Sequence, residues 1–425
     1  MAKNWKKLLI KIPLNLHCYF RMTVGLLLPI VLCASACSVR SNQANAPIRF
    51  VVNTDTSWWV QKTSSRAISD YQNLFNQTFS KIKKSDNKYQ NVNDIDFRID
   101  NVGDSQVRLQ NLISEKTDFS FLSMATISSQ LAQMHQATFD PYIQTLTTSF
   151  IYDYQKNEPT RFSNDQGVGL EAIAKKATEA AFSDKFNGAS NVVYTRLTDN
   201  DWDGAKYPKY YNKPKETVKY YRGMILISGT DTELKKIREA WNKKTPEGFL
   251  EFAEFGITHG RPTSAGSYLL PQALIRKRFN LGSNWSLLTS GIDRSKLQES
   301  SGSEIGQNPK FKIAFDDEGS WAWQKNDSSK NNSNLPNLFN PVTKGAKIEV
   351  LSVTDPLYYD YGVFSNKFRN NLLLKELILQ TFRALSNETT ENAIKDGLGF
   401  YSGYNDYVAA EPYRDLIAIY NRSIN

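Results

Sequence analysis

The sequence predicts an α/β protein of two lobes with a cleft between them, on three observations. Short β-branched runs alternate with helix-period apolar runs over residues 48–123, and the same alternation returns over residues 220–353. An irregular stretch rich in Asn, Asp, Lys and Tyr, from Tyr152 to Val218, separates them. The chain has 425 residues, ample for more than one core. Strand-helix-strand alternation implies mainly parallel sheets with helices on their faces. Ligands of such sheets sit at the carboxyl ends of the strands.

The N-terminus reads first as an export segment. Lys3, Lys6, Lys7, Lys11 and Arg21 precede the apolar run from Met22 to Leu32, with no acidic residue. That run is well short of the ~20 residues a spanning helix needs. It ends in Ala34-Ser-Ala36 immediately before Cys37, the pattern of a cleaved leader with Cys37 as lipid acceptor. The reading is therefore a signal peptide over residues 1–36, a lipidated tether over 37–46, and a domain held at the extracytoplasmic face of the cell membrane. All three cysteines, Cys18, Cys33 and Cys37, fall within or at the end of this segment, so the domain must fold without a disulfide. The net charge of +9 falls to +4 without the five leader cations, and the remaining charges are interspersed. No basic stripe with interleaved aromatics marks a nucleic-acid site.

Residues 48–53 and 94–99 read as strands, residues 71–82 as a helix with one apolar face, and residues 105–114 as the next helix. A third strand over residues 118–123 completes the first part of lobe 1, residues 47–151. Residues 152–219 read as an insertion of unassigned lobe. Lobe 2 spans 220–351, with a strand over 220–228, a helix capped by Asp231 and another opened by Thr245-Pro246. Residues 352–425 are expected to return to lobe 1 and end in helices from Lys375 to Ile424.

The segment Arg261-Pro-Thr-Ser-Ala-Gly-Ser-Tyr-Leu-Leu-Pro271 places small hydroxyl residues and Gly266 at the mouth of a helix. Free backbone N–H groups, hydroxyls and the positive helix end suit a phosphate or carboxylate there. A simple N-cap at Thr263 or Ser264 explains the same residues without a ligand.

This segment resembles the phosphate-gripping signature of phosphonate- and phosphate-type ABC substrate-binding proteins. Together with Tyr221-Arg-Gly-Met-Ile225, Phe255-Gly-Ile-Thr-His-Gly260, Ile313-Ala-Phe-Asp-Asp-Glu-Gly-Ser-Trp-Ala-Trp323 and Val353-Thr-Asp-Pro-Leu-Tyr-Tyr-Asp-Tyr-Gly-Val-Phe364, it resembles the mycoplasma-type high-affinity transport lipoproteins. That is the family of extracytoplasmic thiamine pyrophosphate-binding lipoproteins. The resemblance runs in order along nearly all of the domain. It implies a two-lobed type II periplasmic-binding fold that passes thiamine pyrophosphate, or a related thiamine compound, to an ABC permease and its ATPase. A phosphonate or other phosphorylated small molecule, or an adhesive surface role, are the alternative functions.

On that resemblance Thr263, Ser264, Gly266 and Ser267 hold the terminal phosphate, with Tyr268 and His259 beside them. Ala125 and Thr126 offer N–H groups from the facing lobe, and Arg222 is a candidate counter-charge or a structural ion pair. Trp58 and Trp59 follow the first strand and are candidates to stack on the ligand rings. Asp317, Glu318 and Asp355 are candidate partners for an amine or ring cation, with Glu318 and Asp355 foremost, and Tyr358 and Tyr359 are further stacking or hydroxyl partners. No catalytic role or cofactor is expected. The three histidines, His17, His135 and His259, build no metal-binding motif, and neither a Gly-x-Ser-x-Gly elbow nor a dinucleotide fingerprint occurs.

Overall fold

In the computed structural model, residues 46–56, 65–131, 139–153, 168–183, 193–203, 206–213, 216–326, 338–386, 401–407 and 412–424 are described. The leader with Cys37, and the pair Trp58 and Trp59, lie outside them. β1 (Ile48–Thr54) buries Phe50 and Val52, and α1 (Ser65–Ser85) lays Tyr71, Phe75 and Phe79 on one face at helical spacing. The Phe75 ring stacks on Phe97 of β2 (Ile95–Asn101) at 3.8 Å between centroids. α2 (Ser105–Ile113), β3 (Phe119–Leu122) and α3 (Met124–Leu131) follow, and β1 pairs in parallel with both β2 and β3. β4 (Phe139–Thr148) closes this part of the chain and α4 (Val168–Phe182) comes next. β5 (Thr217–Val218) lies on β4, and β6 (Tyr220–Tyr221) leads out of the lobe.

β7 (Gly223–Gly229), wholly buried, begins the sheet of the second lobe. Thr230, rather than the expected Asp231, caps α5 (Asp231–Asn242) in a reciprocal box with Glu233, and Thr245 caps α6 (Pro246–Ala253) with Pro246 in its first turn. β8 (Ile257–His259) leads to a π-helical turn at Ala265–Leu269 that runs into α7 (Leu270–Arg278). β9 (Leu297–Glu299), β10 (Ile313–Asp317) and β11 (Lys347–Val353) complete this sheet. β12 (Leu357–Tyr358) crosses back, β13 (Tyr361–Ser365) inserts into the first sheet, and α8 (Leu372–Ser386), β14 (Gly403–Asp406) and α9 (Pro412–Ile424) end the chain.

The first sheet has the order β14-β4-β13-β3-β1-β2, with β5 beside β4; the second is β11-β7-β10-β8-β9. The expected parallel order holds at β2-β1-β3 and at β9-β8-β10. Both sheets are mixed, however, because β13, β4, β14 and β5 in the first and β7 and β11 in the second pair antiparallel.

Two stretches differ from the expectation. Residues 152–219 contain α4, which packs on β11 through Leu170, Ile173, Ala174, Ala177 and Ala181. Alanines at helical spacing carry little apolar signal, yet they let a helix approach a sheet closely. Thr178 of α4 even accepts a hydrogen bond from the Val350 N–H at 2.8 Å. The C-terminal stretch expected to be helical contains β14, where Tyr404 packs on Phe382 and the strand takes its hydrogen bonds from β4. Pairing across the sheet, absent from local sequence, decides that strand.

Three segments pass between the sheets, and one side chain ties them. Arg222, fully buried, donates from Nε to the Asp153 carboxylate at 2.8 Å and from Nη1 to the Thr354 carbonyl at 2.8 Å. Its own carbonyl accepts from the Glu318 N–H at 3.0 Å. Burial, then the neighbouring Asp153 carboxylate, push the Glu318 carboxyl well above its usual range against the pull of Arg222. One cation thus faces two buried acids, and burial favours the neutral form of Glu318. Beside this knot β6 and β12 pair as a two-stranded ribbon. Farther out, α9 packs against both α3 and α7, with Arg276 and Lys277 of α7 donating to the carbonyls of Ile424, Arg422 and Ser423.

Removing the cation from this knot leaves the buried Asp153 without its ion-pair partner, so Arg222→Ala should cost about 3–5 kcal/mol. Glu318→Gln, which replaces a carboxyl whose neutral form burial favours, should leave stability at neutral pH unchanged or higher. Chemical denaturation of both variants checks the contrast.

Candidate functional site

The crossing segments set the site, because Tyr221 and Gly223 flank Arg222 on either side. A cavity of about 440 Å³ is lined by Ser105, Ser123, Thr126, Tyr221, Arg261, Thr263, Ser264, Ala265, Gly266, Ser267 and Asp317. That volume suits a small organic ligand. Ser105, Ser123 and Thr126 come from the first lobe, and the rest from the crossing strand and the second lobe.

Three helix beginnings meet here. Ser105 opens α2, whose next N–H groups are already held by the Asp104 carboxylate, so that α2 presents the Ser105 hydroxyl. Ser123 precedes α3 and accepts from the Thr126 N–H at 3.1 Å, its hydroxyl lying 2.8 Å from that of Thr126. Ser264 caps the π-helical turn, accepting from the Ser267 N–H at 3.4 Å and the Ser267 hydroxyl at 2.7 Å. Each lobe therefore contributes a hydroxyl pair at a helix mouth, where N–H groups and the helix dipole favour an anion. The Leu269 N–H reaches back to the Ser264 carbonyl at 2.9 Å, the five-residue bond of a π turn.

Close backbone approach fixes this turn. A Cβ on Gly223 would overlap the Gly266 carbonyl, one on Gly260 would overlap the Ser267 hydroxyl, and one on Gly266 would overlap the Asp317 carboxylate. Glycine at these positions lets β7, β10 and the turn touch. Arg261 is exposed at the rim, and none of the described residues forms an ion pair or side-chain hydrogen bond with its guanidinium.

The acids at the end of β10 separate. Asp316 is buried, accepting from the Asp317 N–H at 2.9 Å and the Ser320 hydroxyl at 2.7 Å. Burial and the adjacent Asp317 carboxylate push it up to about 7, while burial pushes Asp317 up to about 6. Glu318 turns to the Arg222 knot. Of the candidate partners for an amine or ring cation, the cavity wall thus holds Asp317 alone.

The other sequence candidates lie behind the wall. Arg222 is spent on Asp153 and Thr354, and Asp355 pairs with Lys277 at 3.0 Å. His259 is buried, its Nδ1 2.7 Å from the Gly260 carbonyl and its ring edge-on to Tyr268 at 5.3 Å, so both brace the π turn from beneath. Ala125 packs in the apolar cluster shared with Ala265 of the opposite lobe. Lys219 lies over the Tyr358 ring at 4.8 Å, and Tyr359 backs Tyr221 at 5.1 Å between ring centroids.

Thr126, Thr263, Ser264, Gly266, Ser267 and Asp317 are thus brought together from the sequence candidates. Ser105, Ser123, Tyr221, Arg261 and Ala265 were not among them. The signal for Ser105 and Ser123 was a hydroxyl at the strand-to-helix junction, the same signal that pointed to Ser264. Arg261 opens the quoted segment and Tyr221 the matched strand.

Comparison with known proteins places the chain. The family of extracytoplasmic thiamine-binding lipoproteins matches residues 69–423, and the chain belongs to it. It is 29% identical over 374 residues to the high affinity transport system protein p37 of Mesomycoplasma hyorhinis, covering 86% of this chain and 85% of that protein. The protein of the same name from Mycoplasma pneumoniae is 29% identical over 371 residues, covering 84% of this chain and 87% of its own length. The solved structure of Mycoplasma hyorhinis Mh-p37, proposed to be a thiamine pyrophosphate transporter, superposes with a TM-score of 0.73 at 28% identity, over 90% of this chain and all of that one. The family is one of substrate-binding proteins in transport, and its members are extracytoplasmic lipoproteins.

The contact between Gly266 and Asp317 gives a specific expectation. Gly266→Ala should cost about 1–3 kcal/mol through overpacking. Asp317→Ala removes the overlapped carboxylate, so the double variant should recover most of that loss. Thermal unfolding of the double-mutant cycle checks it.

Proposed function

We propose that this protein is the substrate-binding component of an ABC importer, capturing thiamine pyrophosphate or a close thiamine relative outside the cell and delivering it to the permease. One observation carries the reading: hydroxyl pairs at helix mouths in both lobes line a single cavity together with Arg261, a cation that no described residue pairs. Such a set binds an oxyanion by charge-assisted hydrogen bonds from two sides. Family membership supplies the thiamine moiety, and the Tyr221 ring offers that moiety an aromatic wall.

The chemistry is binding without turnover. Ser264, Ser267, Thr263 and Arg261 hold the diphosphate from the second lobe, and Ser105, Ser123 and Thr126 meet it from the first. Bringing both sets onto one anion favours the arrangement in which the lobes approach, the state a permease must distinguish from the empty one. Anchorage at Cys37 keeps the receptor beside the membrane, where two or more acyl chains give stable retention.

Calorimetry of the full-length protein in detergent with thiamine, its mono- and diphosphate, and methylphosphonate tests the reading. Diphosphate should bind tightest, and absence of binding by every thiamine compound would sink it. Arg261→Ala should weaken diphosphate binding by about 1.5–3 kcal/mol, and Ser264→Ala by about 1–2 kcal/mol, with smaller losses for unphosphorylated thiamine. Equal losses for both ligands would remove these residues from the phosphate site.

A further inference from the structure

An oxyanion site has no evident need of a carboxylate, yet Asp317 stands in the wall of this one. The fold provides for it: Gly266 lacks the Cβ that would displace the carboxylate, and β10 ends at this residue. None of the described residues donates a hydrogen bond to the Asp317 carboxylate or forms an ion pair with it, and the shift of its acidity arises from burial alone. A half-buried carboxylate with no partner among the described residues repels a second anion and attracts an N–H donor or a cation. In the same cavity Arg261 shows the opposite need. The two together describe a ligand with a negative and a positive end.

We propose that the Asp317 carboxylate is the selectivity element of the cavity, rejecting bare inorganic phosphate and pyrophosphate and admitting a phosphorylated molecule only when that molecule also carries an amine, a ring N–H or a ring cation. This rests on the oxyanion reading of the site, and it adds a means of not being filled by a bare oxyanion. Selectivity of this kind comes from penalising the wrong ligand rather than from tightening the right one.

The neighbouring ionisable groups are placed otherwise. Asp316 is turned back to Ser320 and its own strand, and Glu318 belongs to the Arg222 cluster. Tyr221 lines the same cavity with Tyr359 behind it, and burial first, then nearby carboxylates, raise both phenols. His259 is held beneath the π turn by the Gly260 carbonyl and Tyr268. Arg261 is the cation at the cavity rim. Protonation of Asp317 should therefore relax the rejection: it holds above about pH 6 and fades below, since the carboxyl of the empty site is raised to about 6.

The test compares the full-length protein with Asp317→Asn, using pyrophosphate and thiamine pyrophosphate as probes in calorimetry. At about pH 7.5 the variant should bind pyrophosphate roughly 10-fold tighter and thiamine pyrophosphate roughly 10-fold weaker, on the scale of one like-charge contact near a protein surface. At about pH 5 the pyrophosphate difference should shrink to under about 3-fold, the titration of the probe being common to both proteins. Asp317→Ser serves as the second variant should the asparagine disturb folding. Equal pyrophosphate affinity at the higher pH, or a difference that does not shrink on acidification, overturns the inference. If pyrophosphate behaves as expected while no thiamine compound binds, the selectivity role stands and the proposed cargo fails. Thiamine pyrophosphate binding without a pyrophosphate effect gives the converse.

Discussion

The buried contact of Arg222 with Asp153 and the Thr354 carbonyl is the constraint on which the site depends. It joins the three stretches of chain that run between the two sheets, at a place where bending would expose it. A charge there must be paired, since an uncompensated ion in the interior is strongly unfavourable. Meeting that requirement fixes the backbone on either side. Tyr221 is thereby set into the cavity wall, and Gly223 is set beneath the Gly266 carbonyl. The knot thus acts on the ligand cavity through its chain neighbours rather than by touching ligand.

Above it the site is built from glycine contacts and hydroxyl caps. The π-helical turn presses against β7 and β10 through Gly223, Gly260 and Gly266, which brings Ser264, Ser267 and Asp317 into one space. Opposite, Ser123 and Thr126 repeat the hydroxyl pair at the mouth of α3. Neither lobe holds the full donor set alone. Under the proposed function, a ligand gains its full set of hydrogen bonds only with both lobes in place. The apolar cluster beneath, with Leu122, Ala125 and Ile127 packed against Ala265 and Leu270, shows that the lobes meet here through small and aliphatic side chains.

Around this contact the C-terminal helix acts as an outer brace. α9 packs on α3 of one lobe and α7 of the other, and α7 supplies cations to its last carbonyls. Basic groups at a helix C-terminus complement the dipole and satisfy carbonyls that have no intrahelical donor. The same α7 begins at the anion-facing turn, so a single helix links the ligand cavity to the chain terminus.

Much of this was legible in the sequence. The strand-helix periods over residues 48–123 and 220–353, the cap at Thr245, the hydroxyl-rich helix mouth at Ser264 and the family resemblance all follow from local pattern, because helical and strand periods and capping depend on residues a few positions apart. What only the tertiary structure decided is which of several similar groups reaches the cavity. Asp316, Asp317 and Glu318 are consecutive acids at a strand end, and the sequence favoured Glu318. Strand alternation and the placing of Ser320 and Arg222 turn Asp316 and Glu318 inward and leave Asp317 at the wall. The same holds for Arg222 and Arg261, two arginines of equal charge and equal donor capacity. Their roles were exchanged by a partner, Asp153, that lies 69 residues away in the chain and beside Arg222 in space.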